Sequence, residues 1–260
     1  MHLVVEIRLS RIYLFYRTST AQNEREAGFS RPAGWNESER CSVKEVDVML
    51  PFTVEDLLGV FEAYNLAIWP MQVVAYVLGV AAVLLVVRKT AHSSKIIVAT
   101  LSFLWLFSSG FFIFALVPIY RTAYVFGVAF IVQAAIFFAC IIKPRLSFAF
   151  GRDVYTVVGL LFIAFAMIGY PVMGYFIGHR YPQSPPFGLT PCPLSVFTFG
   201  LLLLTDSRVP KWILAIPFLY AIGGILPVSI GVLEDLAMIV AGVVGTAMIL
   251  YRDANKPATA

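Results

Sequence analysis

Seven stretches without an acidic or basic side chain fill the chain from residue 63 to residue 251, and almost every charge in that interval lies in the short gaps between them. Charged residues make up 13% of the 260 residues, whereas a soluble domain carries about 25%. A helix that crosses a bilayer needs about 20 predominantly apolar residues. Segments 68–87, 96–117, 122–142 and 154–177 meet that need with no charge at all. Segment 212–229 meets it with Pro217, Gly223, Gly224 and Pro227 inside it, and 232–251 with Glu234 and Asp235 near its start. Segment 191–204 is the weakest, since its strongly apolar part runs only from 194 to 204. By length alone it could be re-entrant rather than spanning.

The loop charges decide between those two readings. Arg88, Lys89 and Lys95 follow the first span, Lys143, Arg145 and Arg152 the third, Arg208 and Lys211 the fifth, and Arg252 and Lys256 the seventh, ten basic residues in all. The alternate gaps hold only Arg121 and Arg180. Basic loops stay on the cytoplasmic side. With seven spans this places the N-terminal side outside and the C-terminus in the cytoplasm, and a re-entrant 191–204 would break the alternation. Tyr64, Trp69, Tyr120, Tyr124, Tyr175 and Tyr181 then cluster at the outer interface, the depth such rings prefer. The expected fold is all-α, a polytopic transmembrane bundle whose partner is the lipid bilayer. The net charge of +4 does not point to nucleic acid, because the basic residues serve the loops.

Residues 1–48 read differently. They hold six Arg, one Lys and Cys41, with no apolar run of the kind a signal peptide carries. They are expected to be disordered or an artefact of start-site choice; the alternative is a small extension with a strand or two in 3–15. The spanning domain is expected over 49–253, with a short cytoplasmic tail at 254–260. Thr53 is placed to cap a helix over 53–66, with Glu55 and Asp56 in its first turn. Phe52, Leu57, Phe61 and Tyr64 give that helix an apolar stripe, and it is expected to lie in the outer interface.

Chemistry-bearing residues gather on the outer side in this topology. Glu62 and Asn65 precede the first span, His179 ends the fourth, Cys192 sits between Pro191 and Pro193 at the start of the fifth, and Glu234 and Asp235 open the seventh. Ionisable groups at membrane depth are functional candidates by default. The adjacent acids can serve as a proton- or cation-binding pair, or simply as acids favoured at a helix start. Cys192 could offer a soft ligand to a metal, or sit in a first turn that tolerates proline. His179 reads first as an interfacial histidine, and Glu62 and Asn65 most simply as a solvated helix face. Small residues four apart, such as Ala237, Ala241 and Gly245, Gly174 and Gly178, or Ala75 and Gly79, read as packing faces. Cys41, Cys140 and Cys192 form no CxxC, no HExxH or GxSxG occurs, and no metal or cofactor site is expected. The last span contains no lysine for a retinal Schiff base.

The motifs Pro51-Phe-Thr-Val-Glu, Tyr64-Asn65 with Trp69-Pro70, Phe187-Gly188 leading into Thr190-Pro-Cys-Pro193, Phe197-Thr-Phe-Gly200, and Gly231 with Glu234-Asp235 resemble the bacterial multi-pass membrane family called domain of unknown function 6064. The resemblance covers about residues 49–253. It implies a helical membrane fold beginning near Met49, a cell membrane location such as the bacterial inner membrane, and no assigned activity. On the residues themselves, the favoured function is small-solute or ion transport or permeation through a polar outer-facing cavity, since Pro/Gly-broken spans lie beside a carboxylate pair. A membrane-embedded enzyme or a non-catalytic receptor or assembly protein are the alternatives.

Overall fold

The computed structural model describes residues 52–256, which form helices joined by short turns. The extension 1–48 and the last four residues of the expected tail lie outside the described residues. Helix α1 (Val54–Ala67) begins with a reciprocal cap: the Asp56 backbone N–H donates to the Thr53 hydroxyl and the Asp56 carboxylate accepts from the Thr53 backbone. It bends by 86° into α2 (Met71–Val87). Helix α3 (Ser93–Gly110) runs on through a π-helical turn, Phe111–Leu116, and α4 (Ala123–Ile142) returns. Helix α5 (Val154–Ala164) passes through a second π turn, Phe165–Gly169, into α6 (Tyr170–Ile177). Helices α7 (Pro191–Leu203), α8 (Lys211–Gly223), α9 (Ile225–Ser229) and α10 (Leu236–Ala254) complete the bundle, α10 being preceded by a 3₁₀ turn at Leu233–Asp235. Among the described residues the only β contact is a single bridge between Phe148 and Thr205.

Five helices are long and apolar enough to cross a membrane, six if the bent pair α1–α2 counts as one span. The bundle wears apolar side chains on its outside, among them Phe114, Phe138, Ile168, Phe176 and Leu219, as a lipid-facing surface requires. Helix α7 is shorter than the candidate spans, and all thirteen of its residues are buried. At about 1.5 Å per residue it is about 20 Å long. A helix apolar on every face belongs inside a protein, and α7 is the centre around which the other helices pack. Its closest neighbour is α5. A Cβ added at Gly159 would come within 2.8 Å of the Gly200 carbonyl oxygen, and one at Gly200 within 2.8 Å of the Gly159 carbonyl. Small residues let the two backbones approach this closely. Gly245 of α10 plays the same part beside Phe199, with a Cβ there 3.1 Å from the Phe199 Cβ.

Prolines inside the helices are tolerated because another helix satisfies the carbonyl each one frees. Pro171 has no N–H to offer Met167, and the Tyr76 hydroxyl of α2 donates to that carbonyl at 2.9 Å. Pro217 leaves the Ile213 carbonyl free, and the Gln133 side chain of α4 donates to it at 3.2 Å.

The bundle has two chemically different ends. At one, the Lys143–Asp153 and Thr205–Lys211 loops, the residues after α2 and the C-terminal turn of α10 interlock. Lys89 pairs with Asp206 at 2.6 Å, Ser147 N–H donates to Ser207 at 2.9 Å, and Lys256 donates to the Asp206 and Ser207 carbonyls. Arg252, buried, donates to the carbonyls of Leu203 at 2.9 Å and Thr205 at 3.1 Å, closing the open end of α7, while its Nε donates to Asp253 at 2.9 Å. At the other end α1 lies across the loop that precedes α7. Tyr64 donates to the Leu189 carbonyl at 3.1 Å and Asn65 to the carbonyls of Pro182 and Ser184 at 2.6 and 2.8 Å. Helix α7 therefore starts at the second end and finishes at the first.

Candidate functional site

The site lies at the end crossed by α1. Gly231 takes a left-handed backbone (φ 109°) that turns the chain out of α9 and into the 3₁₀ turn carrying Glu234 and Asp235. Both acids are buried, at 0% and 1% exposure, and both stand at a helix start, in the 3₁₀ turn that leads into α10. Glu234 and Asp235 then part company. The Glu234 Oε1 meets His179 Nδ1 at 2.8 Å, and its Oε2 is buried with no hydrogen-bond partner among the described residues. His179 reaches it because Gly178, also left-handed (φ 108°), ends α6 and folds the chain back. Gly174 lets the returning chain come close: a Cβ there would stand 3.2 Å from the His179 carbonyl oxygen.

Asp235 joins a second group. The Tyr170 hydroxyl donates to its Oδ1, and the Cys192 thiol donates to its Oδ2 at 3.4 Å. Cys192 Sγ also lies 3.2 Å from the Tyr220 hydroxyl. Four segments thus contribute one side chain each: Tyr170 opens α6, Cys192 lies in the first turn of α7, Tyr220 comes from α8 and Asp235 precedes α10.

Beside this group is a cavity of about 90 Å³. Its walls are the rings of Phe52, Phe61, Phe111, Phe112, Tyr120, Phe126 and Tyr220, with Leu57, Leu116, Leu226, Val232 and prolines between them; Cys192 and Asp235 also line it. Helix α1 roofs it through Leu57 and Phe61. Tyr220 is held edge-on by Phe112, Phe126 and Phe130 at centroid distances of 6.0, 6.1 and 5.0 Å, so this wall is fixed by packing.

Of the six sequence candidates, Cys192 and Asp235 meet each other and the cavity. Glu234 and His179 meet each other beside it. Glu62 and Asn65 are at the same end but do not line it: Glu62 accepts from Gln183 at 2.9 Å, and Asn65 clamps the loop before α7 while its own oxygens accept from Gln72. The cavity is apolar rather than polar because aromatic and aliphatic side chains form nearly all its walls and only Cys192 and Asp235 of the six candidates reach it. Tyr170 and Tyr220 were missed by sequence reasoning. The available signal was a hydroxyl inside an apolar span, which must find a partner there. No group of three His, Cys, Asp or Glu side chains converges as a metal site among the described residues.

An apolar exterior, helices of membrane-crossing length and buried acids at one end define a helical membrane protein. More particularly, the chain matches the family of unknown function DUF6064 over residues 54–259 and belongs to that family. No curated protein and no solved structure matches it.

Proposed function

We propose that this is a multi-pass cell-membrane protein with seven crossings, its N-terminal side outside and its C-terminus cytoplasmic, that binds a small solute in the cavity beside Asp235 as a step in moving it across the membrane. The orientation rests on the basic loops, which gather at one end of the bundle while the acids and the cavity occupy the other. The observation that carries the functional reading is the cavity itself: its wall reaches a buried carboxylate, and concave, mostly apolar sites with a few convergent polar groups are where small molecules bind. The π turn Phe111–Leu116 bounds that cavity, and such turns are frequent at functional sites.

Cys192 offers a direct test. In a Cys41→Ser, Cys140→Ser chain, a small membrane-impermeant thiol reagent added from outside should modify Cys192, and one added from the cytoplasmic side should not. Reporter fusions after Leu204 and after Tyr251 should both read cytoplasm. Modification only from the cytoplasmic side, or a periplasmic signal at either fusion, would overturn the orientation. A Cys192 that no small reagent reaches from either side would remove the cavity reading.

A further inference from the structure

We propose that the ligand of this cavity is a small lipophilic organic cation, an amine or quaternary ammonium on a short carbon skeleton. The inference rests on the binding reading above and gives it a chemical class. The walls present seven aromatic rings and one acid, and no Lys, Arg or His lines them among the described residues. Ring faces carry negative charge density and attract a cation set against them, most strongly where water is excluded. The acid at the wall, Asp235, takes hydrogen bonds from the neutral donors Tyr170 and Cys192 and forms no salt bridge among the described residues. A buried carboxylate without a counter-charge is costly, and a ligand ammonium against Asp235 would supply one.

A second observation points the same way. Glu234, next to Asp235 in sequence but outside the lining, has a buried Oε2 with no partner among the described residues, so the neighbouring charge adds negative potential and no cation at this side of the cavity. An anionic ligand would meet the Asp235 carboxylate and no positive group among the lining residues. A metal cation is a poorer fit, since the lining offers one carboxylate and one thiol where hard cations take six or more oxygens. The size is consistent with a small molecule. A water needs roughly 10–15 Å³ of such space, so a cavity of about 90 Å³ holds on the order of seven water-sized groups, the scale of phenethylamine.

The test compares three ligands of one shape: phenethylamine, 2-phenylethanol and phenylacetate. They are applied to the full chain carrying Cys41→Ser and Cys140→Ser in phosphatidylglycerol nanodiscs. The readouts are protection of Cys192 from N-ethylmaleimide and the shift in melting temperature. Phenethylamine should protect at about one-tenth the concentration of the alcohol or less, and phenylacetate should not protect. Asp235→Asn should remove the advantage of the amine and leave protection by the alcohol intact. If that variant does not insert, the amine-to-alcohol ratio in the unsubstituted site decides alone.

Equal protection by amine and alcohol, or best protection by phenylacetate, overturns the cationic class while leaving the cavity as a binding site. Alkylation of Cys192 that none of the three slows overturns both. Repeating the experiment with phosphatidylethanolamine in the nanodiscs separates the sources of the amine. Protection without added ligand, lost in Asp235→Asn, assigns a lipid amine; protection only on adding phenethylamine assigns a free one.

Discussion

The two ends of this bundle treat buried charge in opposite ways. At the basic end Arg252 is buried, yet its guanidinium donates to carbonyls at the end of α7, to the Thr205 hydroxyl and to Asp253. At the cavity end Glu234 is equally buried, and one of its two oxygens has no partner among the described residues. A fully satisfied buried charge holds a structure together, whereas a half-satisfied one costs stability. The first end thus reads as a fastening, and the second as a place where stability is given up.

The largest effect should come from the fastening. Arg252→Met keeps length and apolar bulk but strands the Leu203 and Thr205 carbonyls and leaves Asp253 with only the Val209 N–H and Lys256. It should cost about 3 kcal/mol, the scale of breaking a buried ion pair, read as a lowered melting temperature in detergent. An unchanged melt would erase the contrast between the ends.

Next is Asp153, which caps α5 by accepting from the Thr156 N–H at 2.8 Å. Asp153→Ala should cost about 1 kcal/mol. Burial pushes the Asp153 carboxyl up, but the hydrogen bonds from Thr156 outweigh it and hold the group below the usual carboxylate range. A depressed folded value means the carboxylate's stabilisation is complete above the unfolded value of about 4 and is lost as pH falls through the folded one. The stability difference between the unsubstituted chain and the Asp153→Ala variant should therefore be flat from pH 8 to 5 and shrink only below about pH 4. A difference that changes between pH 8 and 5 would show that another group is responsible.

A smaller effect tests the middle of the bundle, between the ends. Tyr76→Phe should cost about 0.6 kcal/mol, typical of one hydrogen bond between membrane helices. In a Pro171→Ala chain, where residue 171 regains the N–H that Met167 lacks, the same change should cost close to nothing. Equal costs in both backgrounds would mean that the Tyr76 hydroxyl is not compensating for the proline.

The smallest effect should be at the other end, and it sharpens the comparison most. Glu234→Gln retains an acceptor for His179 and removes a poorly satisfied buried charge. The stability should stay within about 0.5 kcal/mol of the starting protein or rise, read again from the melting temperature. A loss as large as that of Arg252→Met would make the two ends alike and Glu234 a structural group.

The membrane class, five or six of the seven expected crossing segments and the Thr53 cap were legible from sequence, because each depends on local properties: runs without charge, and the capacity of one hydroxyl and one carboxylate three residues apart. The six candidate residues were legible as polar groups on one side, and no more than that. The tertiary structure alone decided that Asn65 and Glu62 bind loops, that Glu234 and Asp235, neighbours in sequence, face different partners, and that Tyr170 and Tyr220 complete the site. It alone decided that α7, too short to count as a candidate span, is wholly buried within the bundle, and that Tyr76 and Gln133 repair what Pro171 and Pro217 break. The physical reason is the same each time. A side chain's helix or span is set by its near neighbours in sequence, whereas the partner of a buried hydroxyl, amide or carboxylate is set by which helix packs against it, and that partner here lies tens of residues away.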